Sequence, residues 1–172
     1  MITQAMMTSW SSEKIFINLP NTVFYPPTSY VGEIGGTLWG HFLHSRILGS
    51  FYLSRIVNLL VCVAISTFAL SLIPEAGVFM LAILLLPMSV SLMASCSQDG
   101  MLLALTSLGI ACTLRYLQET SRRRQYILTY AASIAFGCVA AAKSTYVMLI
   151  FVPILFANKQ NLKLLLASSC SG

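Results

Sequence analysis

Apolar runs close to the length of a bilayer crossing follow one another from Ile56 to Lys159. They are separated only by short polar breaks at Pro74-Glu75, Asp99, Arg122-Arg123-Arg124 and Lys143. A helix rises about 1.5 Å per residue, so crossing about 30 Å of hydrocarbon takes roughly 20 apolar residues. Residues 56–73 and 76–95 come near that length, and 100–117 and 125–142 form shorter runs. From Gln125 to Ala157 only Lys143 interrupts the apolar pattern. One helix over that stretch would approach 50 Å, well beyond the hydrocarbon thickness, so the pattern predicts two short helices, 125–142 and 144–157, meeting at Lys143. An ionisable group at that turn should reach water or an acidic partner. A last apolar run, 162–167, stops at Ser168-Ser169-Cys170-Ser171-Gly172, so a truncated chain is expected. The whole pattern predicts an all-α, polytopic integral membrane helix bundle of about five transmembrane helices.

Before the bundle the pattern changes. Between Thr28 and Leu48 the residues Tyr30, Val31, Ile34, Leu38, Phe42 and Leu43 recur at helical spacing. That predicts an amphipathic helix in the headgroup region, with Tyr30 and Trp39 at the interface. Residues 1–19 lack a basic stretch followed by an apolar one, so no signal peptide is expected. The organisation is one domain: a polar and juxtamembrane section, 1–50, and a transmembrane bundle, 51–172.

Composition narrows the class. With 57% hydrophobic and 9% charged residues, the chain cannot give a globular protein an ordinary solvated surface. Its net charge of +5 comes largely from a few loop positions, which speaks for membrane orientation and lipid contact rather than nucleic acid. By the positive-inside rule the loop carrying Arg122–Arg124 and the stretch carrying Lys159 and Lys163 are cytoplasmic, and Asp99 and the N-terminal section lie outside. Arg46 and Arg55 run against that assignment. The five cysteines, Cys62, Cys96, Cys112, Cys138 and Cys170, show no ligand spacing and read as small buried hydrophobes. His41 and His44 have no acidic or thiol partners nearby in the sequence, so interfacial polar residues are expected rather than a metal pair.

Five blocks then occur in order: Phe24-Tyr25-Pro26-Pro27-Thr28-Ser29-Tyr30, Tyr52 to Leu60, Leu84 to Ser89, Ala94 to Gly100, and Ala142-Lys143-Ser144-Thr145-Tyr146. From about Val23 to Phe156 the chain thereby resembles a large family of predicted bacterial polytopic membrane proteins of unknown function. That family is similar to the GT-C glycosyltransferases, whose juxtamembrane Pro-Pro-x-x-Tyr segment and Arg-containing helix resemble Pro26-Pro27-x-x-Tyr30 and Arg55-Ile56. The resemblance implies a multi-pass protein of the bacterial inner membrane. It further implies transfer of sugar from a polyprenyl-phosphate donor in cell-envelope polysaccharide assembly. Such enzymes carry an acidic outer loop, in this family Asp-Glu followed by His, before the Pro-Pro segment. Glu13, in Ser12-Glu13-Lys14, lacks the following His. A fragment or short member, catalytically incomplete as it stands, is therefore expected.

Sugar transfer from a lipid phosphate needs a carboxylate to activate the acceptor or bind a metal, and cations to hold the phosphate. Asp99, read as the only outer carboxylate between helices, is the catalytic candidate. Lys143, Arg55 and Tyr30 are the substrate-binding candidates. No cofactor is identified beyond a divalent metal that Asp99 would bind. Each residue has a plainer reading. Asp99 follows Ser95 and Ser97 and could cap a helix, Lys143 could snorkel, and Arg55 and Tyr30 could be interfacial anchors. Pro26-Pro27 could only force an extended approach to the helix. Arg122–Arg124 reads as a topology signal. A second class stays open, a non-catalytic transport or scaffolding component. Neither repeated spans nor Gly/Pro-broken helices in matching halves speak for a transporter.

Overall fold

The computed structural model describes Trp10 and residues 26–153, and every described element is helical. The readings placed on residues 1–19, on Lys159, Lys163 and Cys170, and on the run 162–167 lie outside the described residues. A 3-10 turn, Pro27–Tyr30, leads into α1 (Val31–Phe42) and α2 (Ile47–Leu72). Two short helices follow, α3 (Gly77–Leu84) and α4 (Pro87–Met93), then α5 (Gln98–Gln118) and α6 (Arg122–Ala142). A 3-10 segment, Ser144–Ile150, passes into an α-helical turn at 151–153. Three helices, α2, α5 and α6, are long and apolar enough to cross a membrane by length and composition.

The interior mixes small and polar side chains with a few large apolar ones such as Phe136 and Leu102, while many large apolar side chains face outward. Ser50, Ser54, Asn58, Ser66 and Ser107 are buried, whereas Phe42, Phe79, Tyr130, Ile134 and Met148 are exposed. A water-soluble core would show the reverse. In hydrocarbon the outward apolar faces cost nothing, because lipid tails solvate apolar side chains, and helices associate through close contact of small residues.

That rule fixes α1 against α2. Gly32, Gly36 and Gly40 lie on one face of α1 and meet Asn58, Ser54 and Ser50, so the two helices run antiparallel. A Cβ at Gly32 would sit 2.8 Å from the Cα of Asn58, and one at Gly40 would sit 2.7 Å from the Cα of Ser50. The face of α1 read from the sequence as apolar, with Ile34, Leu38 and Phe42, points away from the protein. Its C-terminus closes with a Schellman pair, in which Ser45 N–H donates to Gly40 C=O and His44 N–H to His41 C=O, both at 3.0 Å. His44 takes the left-handed conformation that the motif needs, at φ 53°.

Along the bundle α2 and α5 run parallel, with Cys62 packed near Ala104 and Ala69 near Ala111. α5 and α6 run antiparallel, Leu102 against Val139 and Ala142, and Cys112 against Ala132 and Phe136. Past Lys143 the chain turns back along both helices, so that Leu149 and Val152 join their contacts.

Two differences from the sequence reading have clear causes. The run 76–95 is two helices, because Leu86, preceding Pro87, is held extended at φ −56° and ψ 138°. Ser89 Oγ donates to the freed Ile83 carbonyl at 2.8 Å, which repairs the break inside the apolar zone. α2 begins at Ile47 rather than near 56, and a boundary at residue 50 falls within its first turn. The break at Lys143 is present as expected, since α6 stops at Ala142 and Lys143 is extended at φ −138° and ψ 114°. The second helix expected over 144–157 is instead the 3-10 segment Ser144–Ile150 with one α-helical turn, and residues 154–157 lie outside the described residues.

Candidate functional site

Because α5 and α6 are antiparallel, the N-terminus of one and the C-terminus of the other share one end of the bundle. Asp99 occupies the first turn of α5, where the helix dipole favours a carboxylate. Lys143 follows the last turn of α6, where the dipole favours a cation. Lys143 Nζ donates to Asp99 Oδ1 at 2.6 Å. The side chains stay 36% and 40% exposed respectively, so the pair is open to a ligand, and an ion pair this exposed contributes at most about 1 kcal/mol of stability. The plainer readings of both residues change here. The N-cap of α5 is Ser97, without a side-chain capping bond, so Asp99 is not the cap. Lys143 is engaged by a carboxylate rather than simply snorkelling.

Arg55 reaches the same end from α2. Its Nε donates to the Ala94 carbonyl at 2.7 Å, and Asn58 Nδ2 donates to Met93 C=O at 3.3 Å and Ser95 C=O at 3.1 Å. Ser95 and Ser97 hydroxyls bond each other at 2.9 Å. These contacts pin residues 94–97, the bend that sets the start of α5 and hence the position of Asp99. Pro26 is extended at φ −65° and ψ 141°, as its following proline requires, and the turn it leads into packs on both α5 and α6. Tyr30, half-buried, ends that turn. Asp99 and Lys143 are thus in contact, and Arg55 and Tyr30 are brought to the same end of the bundle.

Sequence reasoning missed Glu33. It lies on α1 beside the glycine face, its carbonyl accepts from Ser54 Oγ at 2.9 Å and Thr37 Oγ1 at 2.8 Å, and its Oε1 is buried without a hydrogen-bond partner among the described residues. Burial pushes its carboxyl above the usual range. Burial also pushes the Cys96 thiol up, and the charges of Glu33 and Arg55 act on it in opposite directions. Glu33 thus adds a carboxylate within α1 to the one that Asp99 supplies between helices. The available signal was one acid in an otherwise uncharged helix, a costly placement that calls for a reason. Among the described residues, no three His, Cys, Asp or Glu side chains come together as metal ligands. Cys62 and Cys112 are buried, whereas Cys96 and Cys138 are only half-buried.

The opposite end of α5 and α6 differs in kind. Arg122, Arg123 and Arg124 are exposed in the first turn of α6, and Arg124 lies 3.8 Å from Glu119. Gln118 Nε2 donates to Glu75 at 3.3 Å and Gln125 Nε2 to the Glu119 carbonyl at 2.6 Å.

An all-α bundle with outward apolar faces and three helices of crossing length is an integral membrane protein. A family described as "Predicted membrane protein (DUF2142)" matches residues 4–164, and the chain belongs to that family. No curated protein and no solved structure matches it. The family description specifies a membrane location and no activity.

Proposed function

We propose that the protein is a GT-C-like glycosyltransferase component of the bacterial inner membrane, handling sugar carried on a polyprenyl phosphate for cell-envelope polysaccharide. The observation that carries this reading is the accessible Asp99–Lys143 pair at the end of the bundle that Arg55 also reaches. In the proposed cycle the donor phosphate draws the Lys143 ammonium away from Asp99. The released carboxylate then accepts the proton of the acceptor hydroxyl as the hydroxyl oxygen bonds the anomeric carbon. The bond from that carbon to the phosphate oxygen breaks, and the polyprenyl phosphate leaves with that electron pair, its negative charge held by Lys143. Arg55 holds the bend before Asp99 through Ala94, and Tyr30 borders the same end. The side bearing Asp99 faces away from the cytoplasm in this reading.

Donor recognition is testable apart from turnover. The protein in lipid nanodiscs is offered equal amounts of a polyprenyl phosphate and the matching polyprenol, and bound species are weighed by native mass spectrometry. A charge-assisted phosphate contact worth about 1.5–3 kcal/mol predicts a preference of roughly tenfold to a hundredfold for the phosphate. Lys143→Ala should remove most of that preference. Equal binding of phosphate and alcohol by the unaltered protein would contradict the reading. It would favour the alternative, a non-catalytic membrane component in which the pair merely clamps α5 to α6.

A further inference from the structure

The face of α6 that begins with the arginines grades from charge to hydrocarbon in a fixed order. Arg122, Tyr126, Tyr130 and Ile134 recur every four residues and so stack along one side of the helix. Arg122 is exposed, and Tyr126, Tyr130 and Ile134 are 62%, 69% and 67% exposed. Arg123 and Ile127 widen the same surface. Four helical residues rise about 6 Å, which puts Tyr126 about 6 Å and Tyr130 about 12 Å below the arginine level. That descent matches the layers of a phospholipid: phosphate at the top, the glycerol and ester zone where tyrosine is favoured, then acyl chain.

Charge selects which phospholipid. Three arginines stand in the first turn of α6, where the helix dipole is itself positive and makes a cation unfavourable. The glutamates at this end are already engaged. Glu119 faces Arg124 and accepts from Ser121 N–H at 3.3 Å, and Glu75 accepts from Gln118. A net anionic headgroup offsets this excess, whereas the ammonium of a zwitterionic lipid meets the same arginines with like charge. Guanidinium groups also present paired donors that fit phosphate oxygens. We infer that the Arg122–Tyr126–Tyr130 face of α6 binds one anionic phospholipid, with its phosphate on Arg122 and Arg123.

The test uses the full chain in detergent, where insertion orientation plays no part. Phosphatidylglycerol and phosphatidylcholine with identical acyl chains are titrated in, and bound lipid is counted by native mass spectrometry. At about a fivefold gain for each of the two arginines, the unaltered protein should prefer phosphatidylglycerol roughly twenty-fivefold. The double variant R122Q/R123Q should bring the two lipids near parity, while R122K/R123K, which keeps the charge, should retain most of the preference. Excess soluble glycerol phosphate should leave the bound lipid in place. Equal retention of the two lipids by the unaltered protein, or an undiminished preference in R122Q/R123Q, would overturn the inference. Displacement of the lipid by glycerol phosphate alone would overturn the lipid as its source.

Discussion

The two ends of α5 and α6 solve the same electrostatic problem in opposite ways. At the Asp99–Lys143 end, charge agrees with both helix dipoles, the pair closes on itself at 2.6 Å, and Arg55 and Asn58 pin the adjoining bend from α2. At the Arg122–Arg124 end, the cations oppose the dipole of α6 and face outward, and among the described residues only Arg124 lies near a carboxylate. The first end is organised by the protein. The second is arranged to be completed by its surroundings. A helix end that neutralises itself can exchange a partner for a ligand, whereas one left in excess positive charge favours an anionic headgroup beside it.

The strongest way to break the comparison is to dismantle the organised end alone. A side chain at Gly36 runs into the backbone of Ser54, where no rotamer change gives relief. Gly36→Leu should therefore cost about 3 kcal/mol, the upper range for overpacking, in denaturant unfolding of the detergent-solubilised protein. Gly137 on α6 has open space around it, so Gly137→Ala should be neutral or stabilising by up to about 1 kcal/mol. Equal losses from both would refute the glycine contact as the element that seats α1.

Arg55→Ala removes a charged donor from the Ala94 carbonyl and should cost about 1.5–3 kcal/mol in the same unfolding measurement. It should also raise amide exchange at residues 94–97 and leave exchange at 119–124 unchanged. A change confined to the arginine end would reverse the assignment of roles.

A smaller effect sits at the turn between α1 and α2. His44→Gly relieves a left-handed residue and should stabilise by about 1 kcal/mol, read as a higher midpoint of thermal unfolding. No gain would mean that the His44 side chain contributes as much as the strain costs.

Glu33 sharpens the picture through pH. Its carboxyl is raised by burial, so between the unfolded and folded pKa values the native state holds more protons than the unfolded one. Stability must then fall as pH rises through that window. Glu33→Gln should flatten that part of the profile and stabilise the protein at neutral pH. A profile identical in the variant would place the raised carboxyl elsewhere.

Much of this could be read from residue order. The runs 100–117 and 125–142 are α5 and α6 to within a few residues, because long apolar stretches bounded by charge leave little choice in a bilayer. The break at Lys143 followed from length alone. α2 was read short at its start because Ser50, Ser54 and Arg55 lower its apparent hydrophobicity, yet Ser50 and Ser54 seat glycines of α1. The Pro87 break was signalled by the proline itself and masked by the apolar run around it. The shared end of Asp99 and Lys143 followed from the helix count, but their contact joins residues 44 apart and needed the antiparallel register of α5 and α6. Glu33 escaped because apolar periodicity drew the reading to the outward face of α1.

Crossing by α5 and α6, which their length and composition allow, puts their two ends on opposite sides of the membrane, and sided labelling measures this directly. In a background with all native cysteines replaced, Ser97→Cys and Arg123→Cys are exposed separately to a membrane-impermeant maleimide, on intact cells and after lysis. The account predicts that position 97 labels from outside intact cells and that position 123 labels only after lysis. Labelling of both positions from the same side would contradict it.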